Sequence, residues 1–270
     1  MKPKLLIVDL DGVVWLGAKP IRENIEALAR LQGEGFKTHF ITNNSTSSRA
    51  HYARRLEALG IKTSPDNVTT SGRAASLWAR ENYGKLKVYV IGEEGLIEEL
   101  IAEGHEIVSR GSEAEALIVG LDRRLCYDKL AEALKTLLKG APFIATNTDN
   151  ILPTEEGPMP GAGSIVEALK AASGRNPDFI AGKPNPWILE VALKGYNVNL
   201  KDTIVVGDRI DTDIEMAVKA GAKPVLVLTG IASTISQEEI KNLSSRKVLI
   251  VRNLTELYTE LKKDGGEGLS

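Results

Sequence analysis

The sequence predicts an α/β fold built on a mostly parallel sheet. Short runs rich in Val, Ile and Leu recur along the 270 residues and alternate with stretches of helical periodicity. Several helical stretches end at a glycine, as Leu96–Glu103 does at Gly104. The chain is long enough to bury a full core, either in one large domain or in two modest ones.

The apolar runs are expected to be strands because they are short and rich in Val, Ile and Leu. We expect strands at Leu5–Asp9, Lys37–Thr42, Lys87–Ile91, Ala116–Gly120, Phe143–Thr146, Thr203–Gly207, Pro224–Leu228 and Val248–Val251. The stretches between most of them have the periodicity of amphipathic helices. Expected helices include Ile21–Gln32, Arg49–Leu59, Leu96–Glu103, Tyr127–Leu138, Ser164–Ala172, Trp187–Lys194 and Asp213–Ala220.

Charge and cysteine content limit the classes of partner and compartment. The chain has 34 Lys and Arg residues against 36 Asp and Glu residues, which disfavours binding to nucleic acid or to an anionic membrane surface. The single cysteine, Cys126, cannot form an intramolecular disulfide. The apolar run Leu5–Val8 is too short for a signal peptide. The sequence also contains no run of about 18 apolar residues, the length that a membrane-spanning helix needs. We therefore expect a soluble, cytoplasmic protein.

Small polar and acidic residues are concentrated in four places beside the apolar segments. Ligands of open α/β sheets bind at the carboxyl ends of the strands. That rule selects Asp9-Leu10-Asp11-Gly12, Thr42-Asn43-Asn44, Gly182-Lys183-Pro184, and Gly207-Asp208-Arg209 with Asp211 and Asp213 just beyond. These four segments are the candidates for a functional site.

The acidic residues of these segments indicate a metal site. Asp9 and Asp11 are two positions apart at a strand end, so in extended backbone their side chains project to the same side. A hard divalent cation offsets the repulsion between such carboxylates, and oxygen ligands without His or Cys favour Mg²⁺ over Zn²⁺. Asp208 and Asp213 can complete the cluster.

The same residues indicate phosphoryl transfer. A carboxylate can accept a phosphoryl group, which divides one difficult displacement into two easier ones, and Asp9 is the candidate nucleophile. Asp11 is the candidate acid and base, first for the leaving group and then for water. Lys183 and Thr42, with neighbouring amides, could stabilise the phosphoryl oxygens.

Each signal taken alone has an ordinary structural interpretation. An aspartate that ends a strand is often a turn residue, and a single lysine such as Lys183 is usually solvated. Asn44 or Ser45 could be a helix N-cap, and Asp208 could form a surface ion pair with Arg209. The combination of four such segments, in this order, favours a catalytic site.

The motifs resemble the four signatures of haloacid dehalogenase phosphatases, in the right order and over nearly the whole chain. The first is Asp9-Leu10-Asp11-Gly12-Val13, the second Thr42-Asn43, the third Lys183, and the fourth Gly207-Asp208 with Asp213. Asp9–Gly17, Ile41–Ser45, Thr146-Asn147-Thr148-Asp149, Pro160–Ser164, Gly182-Lys183-Pro184 and Gly207-Asp208-Arg209 are more narrowly similar to the NagD / para-nitrophenyl phosphatase branch, which includes phosphoglycolate and pyridoxal-phosphate phosphatases. Thr148 departs from that branch, which more often has proline there.

The resemblance implies a Rossmann-like core with an inserted α/β cap of the C2 type. It places the core at 1–70 and 179–262, the cap at 71–178 and a flexible tail at 263–270. The site would bind Mg²⁺ through the Asp9 side chain, the Asp11 main-chain carbonyl and Asp208. Asp213 would orient water or Lys183, while Thr42, Asn43 and Lys183 would bind phosphate.

The expected activity is Mg²⁺-dependent hydrolysis of small phosphomonoesters, with para-nitrophenyl phosphate as a generic substrate. Transfer to an acceptor other than water and a sensor that binds a phosphometabolite without turnover are the alternatives. The cap would select the substrate, and Leu121–Arg124 and Asn147–Met159 are polar enough either to face it or to face solvent. The branch also suggests a homodimer formed through the cap.

Other patterns suggest structural roles. Gly161-Ala162-Gly163-Ser164 lacks a preceding strand and a final glycine, so it predicts a helix N-terminus and not a dinucleotide site. The histidines, His39, His51 and His105, have no zinc-site spacing. Trp15 could stack on an aromatic substrate or pack where the flap next to the first strand meets the cap.

Overall fold

The computed structural model describes residues 5–154 and 157–263, and strands and helices alternate along the chain. The strands are β1 Leu5–Asp9, β2 Trp15–Leu16, β3 Lys19–Pro20, β4 Lys37–Thr42, β5 Val68–Thr70, β6 Lys87–Ile91, β7 Glu106–Ile107, β8 Ala116–Val119, β9 Phe143–Ala145, β10 Ile151–Thr154, β11 Gly157–Pro160, β12 Phe179–Ile180, β13 Thr203–Gly207, β14 Lys223–Val227 and β15 Leu249–Val251. The α-helices are α1 Arg22–Gly33, α2 Arg49–Ala58, α3 Ser71–Tyr83, α4 Glu94–Ala102, α5 Tyr127–Leu138, α6 Ala162–Ser173, α7 Trp187–Leu193, α8 Glu215–Ala220, α9 Gln237–Ser245 and α10 Leu254–Lys263. Beyond Lys263, the tail predicted at 263–270 lies outside the described residues.

The predicted α/β class is confirmed. Each predicted strand corresponds to an observed one with ends that agree within one residue, and the predicted helices agree within two residues. The last predicted helix differs most, because a π-helix at Ile210–Ile214 precedes α8. The predicted helix N-terminus at Gly161 is also confirmed, since Gly161 is the N-cap of α6.

Helix α3 was not predicted from the sequence, and its composition explains why. Its buried positions are occupied by Ser, Gly and Ala instead of large aliphatic side chains. Small residues give a weak hydrophobic periodicity, although they allow close packing of the helix. The hairpin of β10 and β11 was missed as well, because proline interrupts both strands.

Contacts divide the described residues into two compact units. The first comprises residues up to Ile41, Tyr52–Val68 and the residues from Leu189 onward. Its main sheet has the order β15-β14-β13-β1-β4-β5, and the pairs from β15 to β4 are parallel. Strand β1 is buried along its whole length, as expected for a central strand of a parallel sheet covered on both faces.

The second unit comprises Thr42–His51 and Thr69–Ile188. Its sheet has the order β12-β9-β8-β6-β7, and all neighbouring pairs in it are parallel. Its buried core includes Tyr89, Leu117 and Phe143 from the sheet and Val166 and Leu169 from α6. Each unit therefore has its own sheet and its own hydrophobic core.

None of the helices in residues 5–154 and 157–263 is both long and apolar enough to cross a membrane.

His39 is a buried titratable residue in the first unit. It lies on β4 with 2% of its surface exposed, and its Nδ1 is 3.3 Å from the hydroxyl oxygen of Tyr196. Burial disfavours the charged imidazolium and lowers the pKa of His39 from 6.5 to about 4. The native protein therefore keeps this ring neutral at a pH where the unfolded chain protonates it.

We expect His39 to make the protein less stable as the pH falls from 6.5 to 4. In this window the unfolded chain binds a proton that the native state excludes, so stability is fully present above pH 6.5 and is lost towards pH 4. The contribution is about 3 kcal/mol, since one pKa unit corresponds to about 1.4 kcal/mol. Urea unfolding at several pH values should show a weaker dependence for His39→Leu. The exposed His51→Gln is the control, and an equal pH dependence in both variants would contradict the assignment.

Candidate active site

The ends of β1 and β13 bring two aspartates to one edge of the first unit's sheet. Asp9 is the last residue of β1, and Asp208 directly follows β13. The two strands are parallel neighbours with Val8 paired to Val206. Because parallel strands end at the same edge, both side chains emerge together. Asp213 lies in the π-helix that follows.

Asp9, Asp208 and Asp213 form a buried group of three carboxylates. One oxygen from each lies within 4.8 Å of the others. Their exposed fractions are 5%, 3% and 0%. Charges of one sign that are buried this closely require compensation, because the protein interior screens them far less than water does.

This group fits a hard divalent cation. All three donors are carboxylate oxygens, and among the described residues neither His nor Cys belongs to the group. Oxygen ligands of this kind suit Mg²⁺, whereas zinc sites in proteins usually include nitrogen or sulfur ligands. The residues present therefore meet the chemical requirement of the metal site that the sequence suggested.

Hydrogen bonds from main-chain N–H groups and one hydroxyl hold two of the carboxylates in place. The Ile231 N–H donates to Asp208 Oδ2 at 2.7 Å. Asp213 Oδ2 accepts from the Arg209 N–H at 3.3 Å and from the Thr212 hydroxyl at 3.5 Å. These hydrogen bonds fix the orientation of the two carboxylates.

Glycines make room for the acidic group. A Cβ at Gly12 or Gly230 would overlap the Asp208 carboxylate, and one at Gly207 would overlap Asp213. Gly12 also has a φ of +85°, which disfavours other residues. From the sequence, Gly12 was expected to permit a tight turn after the aspartate pair and Gly207 was part of a motif, whereas Gly230 was missed.

Asp11 lies outside the group of three and is solvent-exposed. The indole Nε1 of Trp15 donates to Asp11 Oδ1 at 3.0 Å. Trp15 itself is fully buried, stacked with Tyr52 at a centroid distance of 6.3 Å and with the Arg55 guanidinium 3.8 Å from its ring. Trp15 is therefore packed within the first unit, and its N–H donates a hydrogen bond to Asp11.

Asn24 holds the loop after β1 in place through hydrogen bonds. This role was not predicted from the sequence. Its Nδ2 donates to the Val13 carbonyl at 2.7 Å, and its Oδ1 accepts from the Leu254 N–H at 2.8 Å. The Thr229 hydroxyl also donates to the Gly12 carbonyl, at 2.7 Å. Asn24 is the polar member of the buried stripe of α1, whose other buried residues are Ala and Leu. A polar residue in such a stripe usually has buried partners, and this signal could have identified it.

The predicted phosphate-binding residues Thr42, Asn43 and Lys183 belong to the second unit. Thr42 and Lys183 are buried, with 1% and 5% of their surfaces exposed. Thr42 Oγ1 accepts from the Asn44 N–H at 3.1 Å. Asn43 and Lys183 are in direct contact, because the Lys183 N–H donates to Asn43 Oδ1 at 2.8 Å.

Asn43 also contacts the loop after β9. Its Nδ2 donates to Asp149 Oδ2 at 2.9 Å, and its main-chain carbonyl accepts from Asn147 Nδ2 at 2.7 Å. Asn147 and Asp149 carried the family resemblance, but the sequence assigned them no role in the site. Their position becomes evident only when β9 and the loop after β4 are brought together.

Two of the ordinary interpretations are wrong. Arg209 pairs with Asp211 at 2.6 Å, and Asp208 is buried, so the surface position expected for Asp208 is wrong. Helix α2 begins at Arg49, so neither Asn44 nor Ser45 is its N-cap. Asn44 Oδ1 instead accepts from the Thr46 N–H at 3.0 Å, which stabilises a turn.

Sequence patterns of known protein families match both ends of this chain. The pattern of haloacid dehalogenase-like hydrolases matches residues 6–106, and the HAD-hydrolase-like pattern matches residues 180–257. These segments include Asp9, Asp11, Asn43, Lys183 and Asp208. The matches therefore cover the residues around which the site is built.

Individual proteins are similar over nearly the whole chain. The acid sugar phosphatase of Staphylococcus saprophyticus is 33% identical over 261 residues, which is 96% of this chain and 98% of that protein. The p-nitrophenyl phosphatase from Archaeoglobus fulgidus is 37% identical with a TM-score of 0.88, covering 96% of this chain and 100% of that one. The glycerol phosphate phosphatase from Mycobacterium tuberculosis in complex with magnesium is 32% identical with a TM-score of 0.87, covering 97% of this chain and 78% of that one. The chain therefore belongs to the haloacid dehalogenase-like hydrolases, in their NagD and para-nitrophenyl phosphatase branch.

Proposed function

We propose that this protein is a Mg²⁺-dependent phosphomonoester hydrolase that acts on small phosphorylated metabolites through a phospho-Asp9 intermediate. The observation that carries the proposal is the buried group of Asp9, Asp208 and Asp213 at the end of the central strand. Phosphatases among its relatives, one of them in complex with magnesium, support it.

Asp9 is the proposed nucleophile. One of its carboxylate oxygens would attack phosphorus while the bond from phosphorus to the leaving oxygen breaks, which gives an acyl phosphate on Asp9. Asp9, Asp208 and the Asp11 main-chain carbonyl would hold the cation, and Asp213 would orient water or Lys183. When bound, Mg²⁺ would stabilise negative charge that develops on the phosphoryl oxygens.

Asp11 is the proposed acid and base. It would give a proton to the leaving alkoxide and then take a proton from the water that attacks phospho-Asp9. That second step releases inorganic phosphate and restores both aspartates. The hydrogen bond from the Trp15 N–H to Asp11 Oδ1 would orient the Asp11 carboxylate for this proton transfer.

Lys183 and Thr42 are the proposed phosphate ligands, together with Asn43. The Lys183 ammonium would neutralise charge on the phosphoryl oxygens, and the Thr42 hydroxyl would donate to one of them. Because the side-chain amide of Asn43 already bonds Asp149 and Lys183, Asn43 would contribute its main-chain N–H.

We also propose that 1–70 and 179–262 form the catalytic core, with 71–178 as a C2-type cap that selects the substrate. All of 71–178 falls in the second unit, which supports this division, while the contacts also place Thr42–His51 and 179–188 in that unit. A homodimer formed through the cap and a cytoplasmic location are proposed from the family resemblance and the sequence. Light scattering would measure the mass of the particle in solution.

We expect Asp9→Asn to lower turnover at least about 1000-fold, because an amide cannot form the acyl phosphate. Phosphate release should be measured from para-nitrophenyl phosphate, phosphoglycolate, pyridoxal phosphate, sugar phosphates and nucleoside monophosphates. The exposed Asp211→Asn is the matched control and should retain activity. Turnover by Asp9→Asn near the wild-type rate would reject the mechanism, while phosphate binding without release by the wild type would favour the sensor alternative.

We expect removal of divalent metal with EDTA to abolish phosphate release and added Mg²⁺ to restore it. Mg²⁺ should also raise the thermal unfolding temperature in the absence of substrate, because it binds the native state alone. Asp208→Asn should require more Mg²⁺ for both effects, and Asp211→Asn should not. Full activity of the metal-stripped protein would show that the carboxylate group serves another purpose.

A further inference from the structure

The neighbours of Asn43 determine which end of its side-chain amide is the oxygen and which is the nitrogen. Its Oδ1 faces the Lys183 N–H at 2.8 Å, and a main-chain N–H can only donate. Its Nδ2 faces Asp149 Oδ2 at 2.9 Å and the Lys183 carbonyl at 3.1 Å. Because a carbonyl and an ionised carboxylate only accept, the opposite orientation of the amide would lose all three hydrogen bonds.

Two of these bonds hold the main chain of Lys183 on both sides of its Cα. Asn43 accepts from the N–H and donates to the carbonyl of the same residue, as a neighbouring β-strand would. The direction in which the Lys183 side chain leaves the main chain is thereby fixed. Gly182 permits this approach, since a Cβ there would lie 2.5 Å from Asn43 Oδ1.

Asp149 accepts a hydrogen bond from the remaining N–H of the Asn43 side-chain amide. Its own position is fixed, because its N–H donates to Asn147 Oδ1 at 3.0 Å and its carbonyl accepts from the Gly163 N–H at 2.9 Å. Asn147 also donates to the main-chain carbonyl of Asn43. The loop after β9 therefore holds both the side chain and the main chain of Asn43.

We propose that Asp149 is a positioning residue of the phosphate site, which orients the amide of Asn43 and through it Lys183. The carboxylate makes a charge-assisted hydrogen bond, and such bonds are stronger than those between neutral groups. The proposal rests on the proposed role of Lys183 in phosphate binding. It assigns the Asn43 side chain to the support of Lys183 instead of to direct contact with phosphate.

The first test compares Asp149→Ala, Asp149→Asn and Asp128→Ala. Asp128 is an exposed aspartate of the same unit, at the start of α5, and serves as the control. We expect Asp149→Ala to lower kcat/KM for para-nitrophenyl phosphate about 10- to 100-fold and to weaken inhibition by inorganic phosphate by a similar factor, as for loss of a hydrogen bond to a charged group. Asp149→Asn keeps an acceptor for Asn43 and should stay within about threefold of the wild type.

The second test asks whether Asp149 acts through Lys183. In the Lys183→Met background, Asp149→Ala should cause little further loss of phosphate binding, because coupled residues are not additive. Calorimetric titration with inorganic phosphate measures this in all four proteins, including variants that no longer turn over. A purely structural role for Asp149 would lower the unfolding temperature and leave the two effects additive, which would overturn the proposal.

The outcomes separate this proposal from the proposed function. If the wild type hydrolyses phosphomonoesters and Lys183→Met impairs phosphate binding while Asp149→Ala does not, the positioning role is wrong and the hydrolase assignment stands. If Lys183→Met binds phosphate as the wild type does, the role of Lys183 fails and the positioning role fails with it. Should Asp149→Ala not fold, Asp149→Ser takes its place, since it shortens the side chain but stays polar.

Discussion

The repulsion among three buried carboxylates is the constraint on which the rest of the site depends. Asp9, Asp208 and Asp213 each have at most 5% of their surface exposed, and oxygens of all three approach within 4.8 Å. Such an arrangement is stable only where fixed donors and positive charge oppose the repulsion. The main-chain donors to Asp208 and Asp213 supply part of this, and the glycines beside them provide the space. The proposed divalent cation would add positive charge to this group.

The two compact units carry different polar groups. The first has the acidic group at the ends of β1 and β13 and in the π-helix that follows β13. The second holds Asn43 and Lys183 in a hydrogen-bonded set that includes Asp149. Carboxylates suit the binding of a cation, whereas the ammonium group of a lysine suits the binding of an anion such as phosphate.

The relatives share a reaction but differ in the substrates for which they are named. Their names include an acid sugar phosphatase, a p-nitrophenyl phosphatase and a glycerol phosphate phosphatase, at similar levels of identity to this chain. The groups that would handle the phosphoryl transfer lie at strand ends of the fold, whereas the leaving groups named in these proteins differ widely. Fold and phosphoryl chemistry are therefore shared more broadly than substrate choice.

Local signals in the sequence were sufficient to predict the α/β class, the limits of the predicted strands and the order of the motifs, because these depend on alternating apolar runs and on aspartates at strand ends. It also identified Asp9, Asp208 and Asp213 as potential neighbours. The hydrogen bonds of Asn43 and Asn24 became evident in the three-dimensional structure alone. Asn43 lies 106 residues from its partner Asp149, and Asn24 lies 230 residues from its partner Leu254. Hydrogen bonds between residues so distant in the chain leave no periodic trace in the sequence. They form only when folding places separate loops side by side.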